Sequence, residues 1–360
     1  MKFRADIQGL RAVAVLLVIL HHAFPEFLPG GFFGVDIFFV ISGYIITQIL
    51  MRDKDEKWSR FFLEFYARRI RRILPSALLI IVATTLASYF FLGEITGADT
   101  ALDGIYATLF IANIHFNNAA VDYFASSLPQ PILQHYWSLS IEEQFYFLWP
   151  LIFFITARYR RLALITVLSI SSISLLWALS EIATGSGTAY FSTQTRIWEL
   201  GTGAALALIG RLTPNKFISN LALLTLIGAA FVIEDGGNFP GTTALIVVAA
   251  TAILIWSGTD NPLTSNKAMV YLGDLSYLLY LVHWPVLHIF NLYKGSPATL
   301  LESLILLTVV FVLSIALHHG FENPIRYSKR LMSKSSLTIS LGLTGITITV
   351  LSLNLIRSAL

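Results

Sequence analysis

Hydrophobic residues recur along the whole chain in runs long enough to cross a lipid bilayer, separated by short polar stretches. One helical crossing needs about 20 predominantly apolar residues, and we identify eleven such windows. They lie at 10–24, 32–50, 75–92, 141–157, 162–180, 196–210, 217–233, 242–258, 270–290, 299–318 and 337–356. The pattern predicts an all-α fold, a polytopic transmembrane helix bundle of about ten core spans plus an eleventh span that leads outward.

Composition agrees with this pattern. Hydrophobic residues make up 56% of the chain and charged residues 12%, with a mean hydropathy of +0.71, which excludes a soluble globular protein. Lys2 and Arg4 precede the first apolar run as in a signal peptide, but no small-residue cleavage pattern follows, so we interpret this run as a retained helix. The chain contains no cysteine, which excludes disulfides and thiolate chemistry.

The distribution of basic residues predicts the orientation. Segment 104–116 is apolar but short, and we predict a re-entrant or surface helix there. With a cytoplasmic amino terminus, the loops on the inner side then hold 20 of the 24 Lys and Arg residues, as cytoplasmic loops do. We therefore predict an outside carboxyl terminus, a membrane domain at 1–335 and an additional helix at 336–360.

The first predicted span contains an arginine and two histidines. Arg11 and His22 are eleven residues apart, which returns to within about 20° of the same helix face and advances about 16 Å. A cation in hydrocarbon costs several kcal/mol and normally faces a hydrated or protein-lined cavity. The pair predicts a polar channel with a base at its outer end; a snorkelling arginine with interfacial histidines is the structural alternative.

Further charged and polar residues interrupt other predicted spans. Each one alone is explained by a satisfied polar contact inside the bundle. Together with the first span, however, the acids and bases lie in five spans, and with the small residues beside them they favour a hydrated internal cavity. Arg196 and Glu199 are spaced to pair on one helix face. The others are Asp36, Glu142, Glu143, Asp274 and His283.

The densest basic cluster is FYARRIRRILP at 65–75. Its four arginines, Arg68, Arg69, Arg71 and Arg72, occupy about 160° of one helical surface, and guanidinium groups suit phosphate oxygens. Attraction to anionic lipid headgroups is the alternative.

Seven motifs now stand in order along the chain. They are DIQGLRA, GGFFGVDIFFVISGY, FYARRIRRILP, WSLSIEEQFYFLWP, TRIWELGTG, LGDLSYLLYLVHWP and ENPIR. Over residues 4 to about 326 the chain resembles the integral membrane acyltransferase family 3, which contains bacterial O-antigen and peptidoglycan O-acetylases.

The resemblance implies an enzyme of the bacterial inner membrane. Such an enzyme takes an acetyl group from cytosolic acetyl-CoA and transfers it to a hydroxyl of a glycan on the far side, with O-antigen lipopolysaccharide the first expectation. Arg11 and His22 match the essential pair of the family, and Asp36 and Glu142 match acidic positions that we add to the catalytic candidates. The four arginines at 68–72 match the cytosolic motif expected to bind the acyl donor.

Contacts with the acceptor are expected from aromatic residues near the outer side. The candidates are Trp137, Tyr146, His283 and Trp284, although such aromatics serve equally as an interfacial belt. The polar loop 117–137 is expected to contribute to acceptor choice. Expected partners are a glycan or lipid-linked glycan and the bilayer, with no nucleic acid and no metal. An exported SGNH-type domain beyond the carboxyl terminus is also expected, as in one branch of the family.

Two other classes of function remain open from the residues alone. A transporter or lipid flippase would also have a charged cavity, and a membrane scaffold would only anchor an exported domain. The scaffold leaves Arg11, His22 and Asp36 unexplained. Binding of coenzyme A separates the acyltransferase from both.

Overall fold

The computed structural model describes residues 3–52, 57–119, 130–156, 159–184, 189–210, 215–234, 239–258 and 261–358. Within these ranges all regular structure is helical. In chain order the α-helices are α1 Ala5–Ala23, α2 Gly34–Arg52, α3 Trp58–Leu92, α4 Glu94–Thr108, α5 Ala112–Asn118, α6 Tyr136–Thr156, α7 Arg160–Thr184, α8 Thr193–Ile209, α9 Lys216–Val232, α10 Thr242–Ser257, α11 Pro262–Ser265, α12 Lys267–Lys294, α13 Leu300–Leu317, α14 Asn323–Arg326, α15 Lys329–Ser333 and α16 Ser335–Ser358. A 3₁₀-helix at Pro29–Phe33 precedes α2, and a π-helix at His318–Glu322 follows α13.

Each of the eleven predicted spans overlaps one of these helices, so the predicted all-α membrane bundle is confirmed. In the described part of the chain, seven helical segments are long and apolar enough to cross a bilayer. They are Ala5–Ala23, Pro29–Arg52, Trp58–Leu92, Arg160–Thr184, Lys267–Lys294, Leu300–Ser333 and Ser335–Ser358. The exact number of crossings stays a prediction.

The segment 104–116 is interrupted rather than continuous. Helix α4 ends at Thr108 and α5 begins at Ala112, and between them Phe110 has a φ of 54°, which a bulky residue rarely adopts. With 15 and 7 residues, both helices fall short of the length of a crossing. The prediction of a non-spanning helical segment agrees with this geometry.

The described residues fall into two compact units. Unit 1 contains those of Met1–Lys54, Phe116–Ser126 and Ile141–Ser276, and unit 2 contains those of Asp55–His115, Ser127–Ser140 and Tyr277–Leu360.

In unit 1, α8 lies at the centre and packs against α2 and α7, while α1 and α10 also contact α2. Small residues let α2 and α8 approach each other closely. A methyl group added to Gly43 would overlap the Leu200 carbonyl oxygen, and one added to Gly203 would overlap the Val40 carbonyl oxygen. Each of these two helices therefore uses a glycine to admit the backbone of the other.

In unit 2, the long helix α3 packs against α4 and α16, and α16 also contacts α4. We expected a span opening at Pro75, but the helix is continuous from Trp58 to Leu92 with Pro75 inside it. At 35 residues it is about 52 Å long, well beyond the roughly 30 Å of a bilayer core. The arginine cluster therefore belongs to the same helix as the span. The predicted boundary at residue 335 stays a prediction.

The approach of α2 to α8 leads to a stability prediction. In Gly43→Ala the added methyl group has to push the α8 backbone away. We therefore expect the free energy of unfolding to fall by about 1–3 kcal/mol, as is typical of overpacking. The measurement is thermal unfolding of the purified protein in detergent. Gly228→Ala is the matched control, because nothing lies within 4 Å of the added atom there. Equal unfolding temperatures for the two variants would contradict the packing account.

Candidate active site

Helix α1 carries the two residues at the centre of the predicted chemistry. It runs without a break from Ala5 to Ala23, so Arg11 and His22 do share a face, about 16 Å apart along the axis. Arg11 is buried, at 9% exposure, and His22 is half-buried. The guanidinium therefore lies inside unit 1.

Arg11 is held by a residue that the sequence did not single out. Its Nη1 donates to Gln8 Oε1 at 2.9 Å, and Gln8 Nε2 donates to Asp274 Oδ1 at 2.6 Å. Gln8 and Arg11 are three residues apart on a helix, so their proximity was readable. The contact with Asp274 comes from the packing of α12 on α1, where a methyl group on Gly273 would overlap the Gln8 carbonyl oxygen. The Gln8 amide thus links the guanidinium to a carboxylate.

The two adjacent histidines have different surroundings. His21 is buried, and its Nδ1 lies 3.0 Å from the Leu28 carbonyl oxygen. A carbonyl can only accept, so His21 Nδ1 carries the proton and anchors the turn after α1. His22 shares the face of Arg11 instead. Adjacent residues of a helix point about 100° apart, which is why the two histidines have different neighbours.

A buried ion cluster joins α2 to α8. The pairing predicted for Arg196 and Glu199 is confirmed, with 2.9 Å between Nη1 and Oε1, and the same Nη1 lies 3.2 Å from Asp36 Oδ1. All three side chains are fully buried. Two carboxylates beside one guanidinium carry one excess negative charge, so the cluster is neutral when one carboxyl is protonated.

Aromatic rings surround the guanidinium of this cluster. The rings of Phe39, Tyr190 and Phe239 have their centroids 5.4–5.6 Å from Arg196 Cζ, within the range of cation–π attraction. Asp36 was expected among the catalytic residues, but its contacts are those of a buried structural ion pair. Its catalytic role rests on the resemblance alone.

Glu142 lies in a separate polar contact of unit 1. Ser42 Oγ donates to Glu142 Oε1 at 2.8 Å, and Tyr146 OH donates to Oε2 at 3.2 Å. Glu142 is half-buried, so its carboxylate is oriented by two hydroxyls. Its catalytic role stays a prediction.

The aromatic residues proposed to contact a glycan are mostly inaccessible. Trp137, Tyr146 and His283 are 1%, 4% and 0% exposed, and their contact with a glycan stays a prediction. His283 Nδ1 lies 2.7 Å from the Tyr280 carbonyl oxygen. Trp284 is half-buried, and its indole N–H is occupied, as described below.

The four arginines of α3 divide into two kinds. Arg68, Arg69 and Arg72 are half-buried. Arg68 Nη1 lies 3.8 Å from Glu64 Oε2, and Arg69 Cζ lies 5.9 Å from the centroid of the Phe65 ring. These side chains remain candidates for binding phosphate.

Arg71 points elsewhere in unit 2. It is 8% exposed, and its Nη1 donates to the Leu331 carbonyl oxygen at 3.2 Å. Arg71 therefore ties α15 to α3, and its role as a phosphate ligand rests on the resemblance alone.

His135, a buried histidine directly before α6, was not among the site residues predicted from the sequence. His135 Nε2 lies 3.2 Å from the Leu281 carbonyl oxygen and so donates to it, while Tyr280 OH donates to the His135 carbonyl oxygen at 2.8 Å. Burial lowers the pKa of His135 well below its usual range, so this histidine is neutral at pH 7. The one signal in the sequence that could have indicated His135 is its position two residues before the motif WSLSIEEQF.

A family model described as an acyltransferase domain matches residues 4–319. The chain belongs to the integral membrane acyltransferase family 3. The multi-pass membrane fold described above is consistent with that membership.

The chain is similar in sequence to several named proteins. Peptidoglycan O-acetyltransferase OatA of Listeria monocytogenes is 32% identical over 351 residues, covering 90% of this chain and 56% of that protein. The putative peptidoglycan O-acetyltransferase YrhL of Bacillus subtilis is also 32% identical, with coverages of 90% and 55%. O-acetyltransferase OatA of Staphylococcus aureus is 30% identical over 349 residues, with coverages of 90% and 57%. The chain spans about half the length of these relatives, and no solved structure matches it.

Among the described residues, no group of three or more His, Cys, Asp or Glu side chains is arranged to hold a metal ion. The expectation that the protein binds no metal stays a prediction. His318 Nδ1 pairs instead with Glu322 Oε2 at 2.9 Å.

The buried cluster of the acyltransferase leads to a second stability prediction. Arg196→Ala leaves Asp36 and Glu199 buried without their cation, and breaking a buried pair in this way costs about 3–5 kcal/mol. Thermal unfolding in detergent measures the loss. Arg161→Ala removes the same charge from an exposed position and should unfold like the wild type. A wild-type unfolding temperature for Arg196→Ala would contradict the structural role.

Proposed function

We propose that this chain is a membrane O-acyltransferase that moves an acetyl group from cytosolic acetyl-CoA to a hydroxyl of a cell-envelope glycan. The observation that carries the proposal is the shared face of Arg11 and His22 on α1, within a chain whose residues 4–319 match the acyltransferase domain. The imidazole supplies a base for acyl transfer to an alcohol, and the guanidinium on the same helix face supplies a cation that can bind the phosphate-bearing donor.

The donor is proposed to bind at the amino-terminal part of α3. Coenzyme A carries three phosphates, and guanidinium groups hold phosphate oxygens with paired hydrogen bonds. Arg68, Arg69 and Arg72 are half-buried and lie within about 100° of one helix surface. This arrangement supports a phosphate site that leaves the flexible arm of the donor free to enter the membrane domain.

The chemistry assigned to α1 balances as an acyl transfer. His22 takes the proton of the attacking hydroxyl, or first accepts the acyl group itself. In direct transfer the new C–O bond forms as the C–S bond of the thioester breaks. On the acyl-histidine route a C–N bond to His22 forms as the C–S bond breaks, and the C–O bond then forms as that C–N bond breaks. On both routes the thiolate leaves with the coenzyme and is then protonated. Arg11 is about 16 Å from His22 along α1 and is hydrogen-bonded to Gln8, so we assign it to binding the coenzyme rather than to the reacting carbonyl.

The orientation is part of the proposal. Placing 20 of the 24 Lys and Arg residues in inner loops follows the positive-inside rule, with the amino terminus in the cytoplasm of a bacterial cell and the carboxyl terminus outside the inner membrane. In that orientation the α3 arginines face the cytosol, where acetyl-CoA is made, and His22 lies toward the outer side.

The acceptor class follows from the names of the relatives. Two are named as peptidoglycan O-acetyltransferases, one of them putatively. We therefore propose a glycan of the peptidoglycan type as acceptor, ahead of the O-antigen that the sequence resemblance placed first.

Donor binding and chemistry should separate by mutation. In Arg69→Ala with Arg72→Ala we expect the Kd for acetyl-CoA to rise at least about tenfold, because charge-assisted hydrogen bonds to phosphate are lost. In His22→Ala we expect unchanged binding and a fall in thioester cleavage of about 100- to 10,000-fold, the usual contribution of a general base. Calorimetry and thiol release measure the two effects.

The controls for this experiment match each change. Arg161→Ala with Lys216→Ala removes two exposed positive charges elsewhere, and His319→Ala removes an exposed histidine. Absence of saturable acetyl-CoA binding by folded wild-type protein would overturn the acyltransferase proposal and leave a transporter as the hypothesis to pursue.

The link from Asp274 through Gln8 to Arg11 makes a further prediction. Gln8→Leu removes a hydrogen bond to a charged group worth about 1.5–3 kcal/mol, so kcat/KM for transfer should fall about 10- to 150-fold. The exchanged pair Gln8→Glu with Asp274→Asn keeps both hydrogen bonds, since the new amide donates to the new carboxylate. We expect the pair to recover activity to within about threefold. No recovery in a pair that folds normally would argue against this positioning role.

A further inference from the structure

A cavity of about 530 Å³ opens at one end of unit 2. Its lining comes from the last residue of α3, one face of α4, residues 130–132 and the end of α12, including Leu292. The volume falls within the 300–1,000 Å³ typical of sites for small ligands. None of the catalytic or donor-binding candidates lines it.

Two side chains of α12 hold the wall formed by residues 130–132. Trp284 Nε1 donates to the Pro131 carbonyl oxygen at 3.1 Å, and His288 Nε2 lies 2.6 Å from the Gln130 carbonyl oxygen. Because that carbonyl can only accept, the histidine donates through Nε2. The two rings stack with their centroids 4.8 Å apart. Two hydrogen bonds from α12 therefore fix the position of residues 130 and 131 in the cavity wall.

The polar lining is dominated by hydrogen-bond acceptors. Asp99 and Asp103 are four residues apart on α4 and line the cavity together with Thr96 and Thr100. Asp103 Oδ1 lies 2.9 Å from His115 Nε2. Burial raises the pKa of Asp103 from its ordinary value. Carboxylates accept hydrogen bonds from hydroxyl and amide groups and repel anions, so the lining disfavours anionic ligands and favours ligands rich in O–H and N–H donors.

The cavity lies at the opposite end of α3 from the arginines. Leu92 at its edge is 21 residues beyond Arg71, which corresponds to about 31 Å along the helix, close to the thickness of a bilayer core. Both features belong to unit 2. If the arginines face the cytosol, the cavity faces the exported side.

We propose that this cavity binds a neutral sugar unit of the acceptor glycan, through its hydroxyl and amide N–H groups and the carboxylates of Asp99 and Asp103. This inference rests on the proposed function, which supplies the glycan and the orientation. It assigns acceptor binding to α4 and residues 130–132 of the polar loop, and it gives Trp284 and His288 a positioning role.

The test measures binding of a soluble trimer of β-1,4-linked N-acetylglucosamine to the full-length purified chain by calorimetry, without acyl donor. We expect saturable binding by the wild type. In Asp99→Asn the Kd should rise at least about fivefold, because a charged acceptor is lost. Glu94→Gln is the matched control, since it makes the same change of charge on the same helix at an exposed residue outside the lining, and it should bind like the wild type.

A second variant and a second ligand sharpen the test. Leu292→Trp fills the cavity from α12 and should abolish binding of the trimer while acetyl-CoA binding persists. The anionic trimer of galacturonic acid should bind more weakly than the neutral trimer, and Asp99→Asn should narrow that difference. Unchanged trimer affinity in both variants, or no saturable binding by the wild type, would overturn the assignment of the cavity.

The two proposals fail in distinguishable ways. Acetyl-CoA binding and His22-dependent thioester cleavage that survive while the trimer does not bind would leave the acyltransferase and remove the acceptor site. Trimer binding that depends on Asp99 in a chain that does not bind acetyl-CoA would leave a sugar site and remove the acyltransferase.

Discussion

A charge buried among apolar helices has to be compensated nearby, and unit 1 is organised by that requirement. The Arg196 guanidinium is fully buried, with two carboxylates and three aromatic rings around it. Its partner Asp36 lies on α2, so α2 and α8 have to approach closely. Gly43 and Gly203 permit that approach because neither backbone meets a side chain there. The ion cluster and the glycines therefore depend on each other.

The need to compensate buried polar groups also distinguishes residues with a structural role from the candidates for catalysis. His21 donates to the Leu28 carbonyl oxygen, and Arg71 donates to the Leu331 carbonyl oxygen. Both are buried and both hold a neighbouring segment. Arg11 is buried too, but it is held through the side chain of Gln8, which places its charge on the face that also carries His22. The polar residues of the bundle thus differ in role although they look alike in the sequence.

Unit 2 relates the two proposed ligand sites through one helix. Helix α3 carries the arginines near its beginning and contributes Leu92 to the cavity at its end. A continuous helix has a fixed rise, so this separation is set by the number of residues and matches the thickness of the hydrocarbon layer.

Runs of apolar residues alone predicted the helical membrane bundle, and each predicted span overlaps a helix of the structure, because a lipid-exposed helix needs a run of apolar side chains about 20 residues long. Spacing along one helix likewise predicted the shared face of Arg11 and His22 and the pairing of Arg196 with Glu199. Only the tertiary structure decided which partners come from other helices: Asp36 beside Arg196, Asp274 beyond Gln8, and the burial of Trp137, Tyr146 and His283. Those contacts depend on how helices pack against one another, and the local spacing of residues carries no record of that packing.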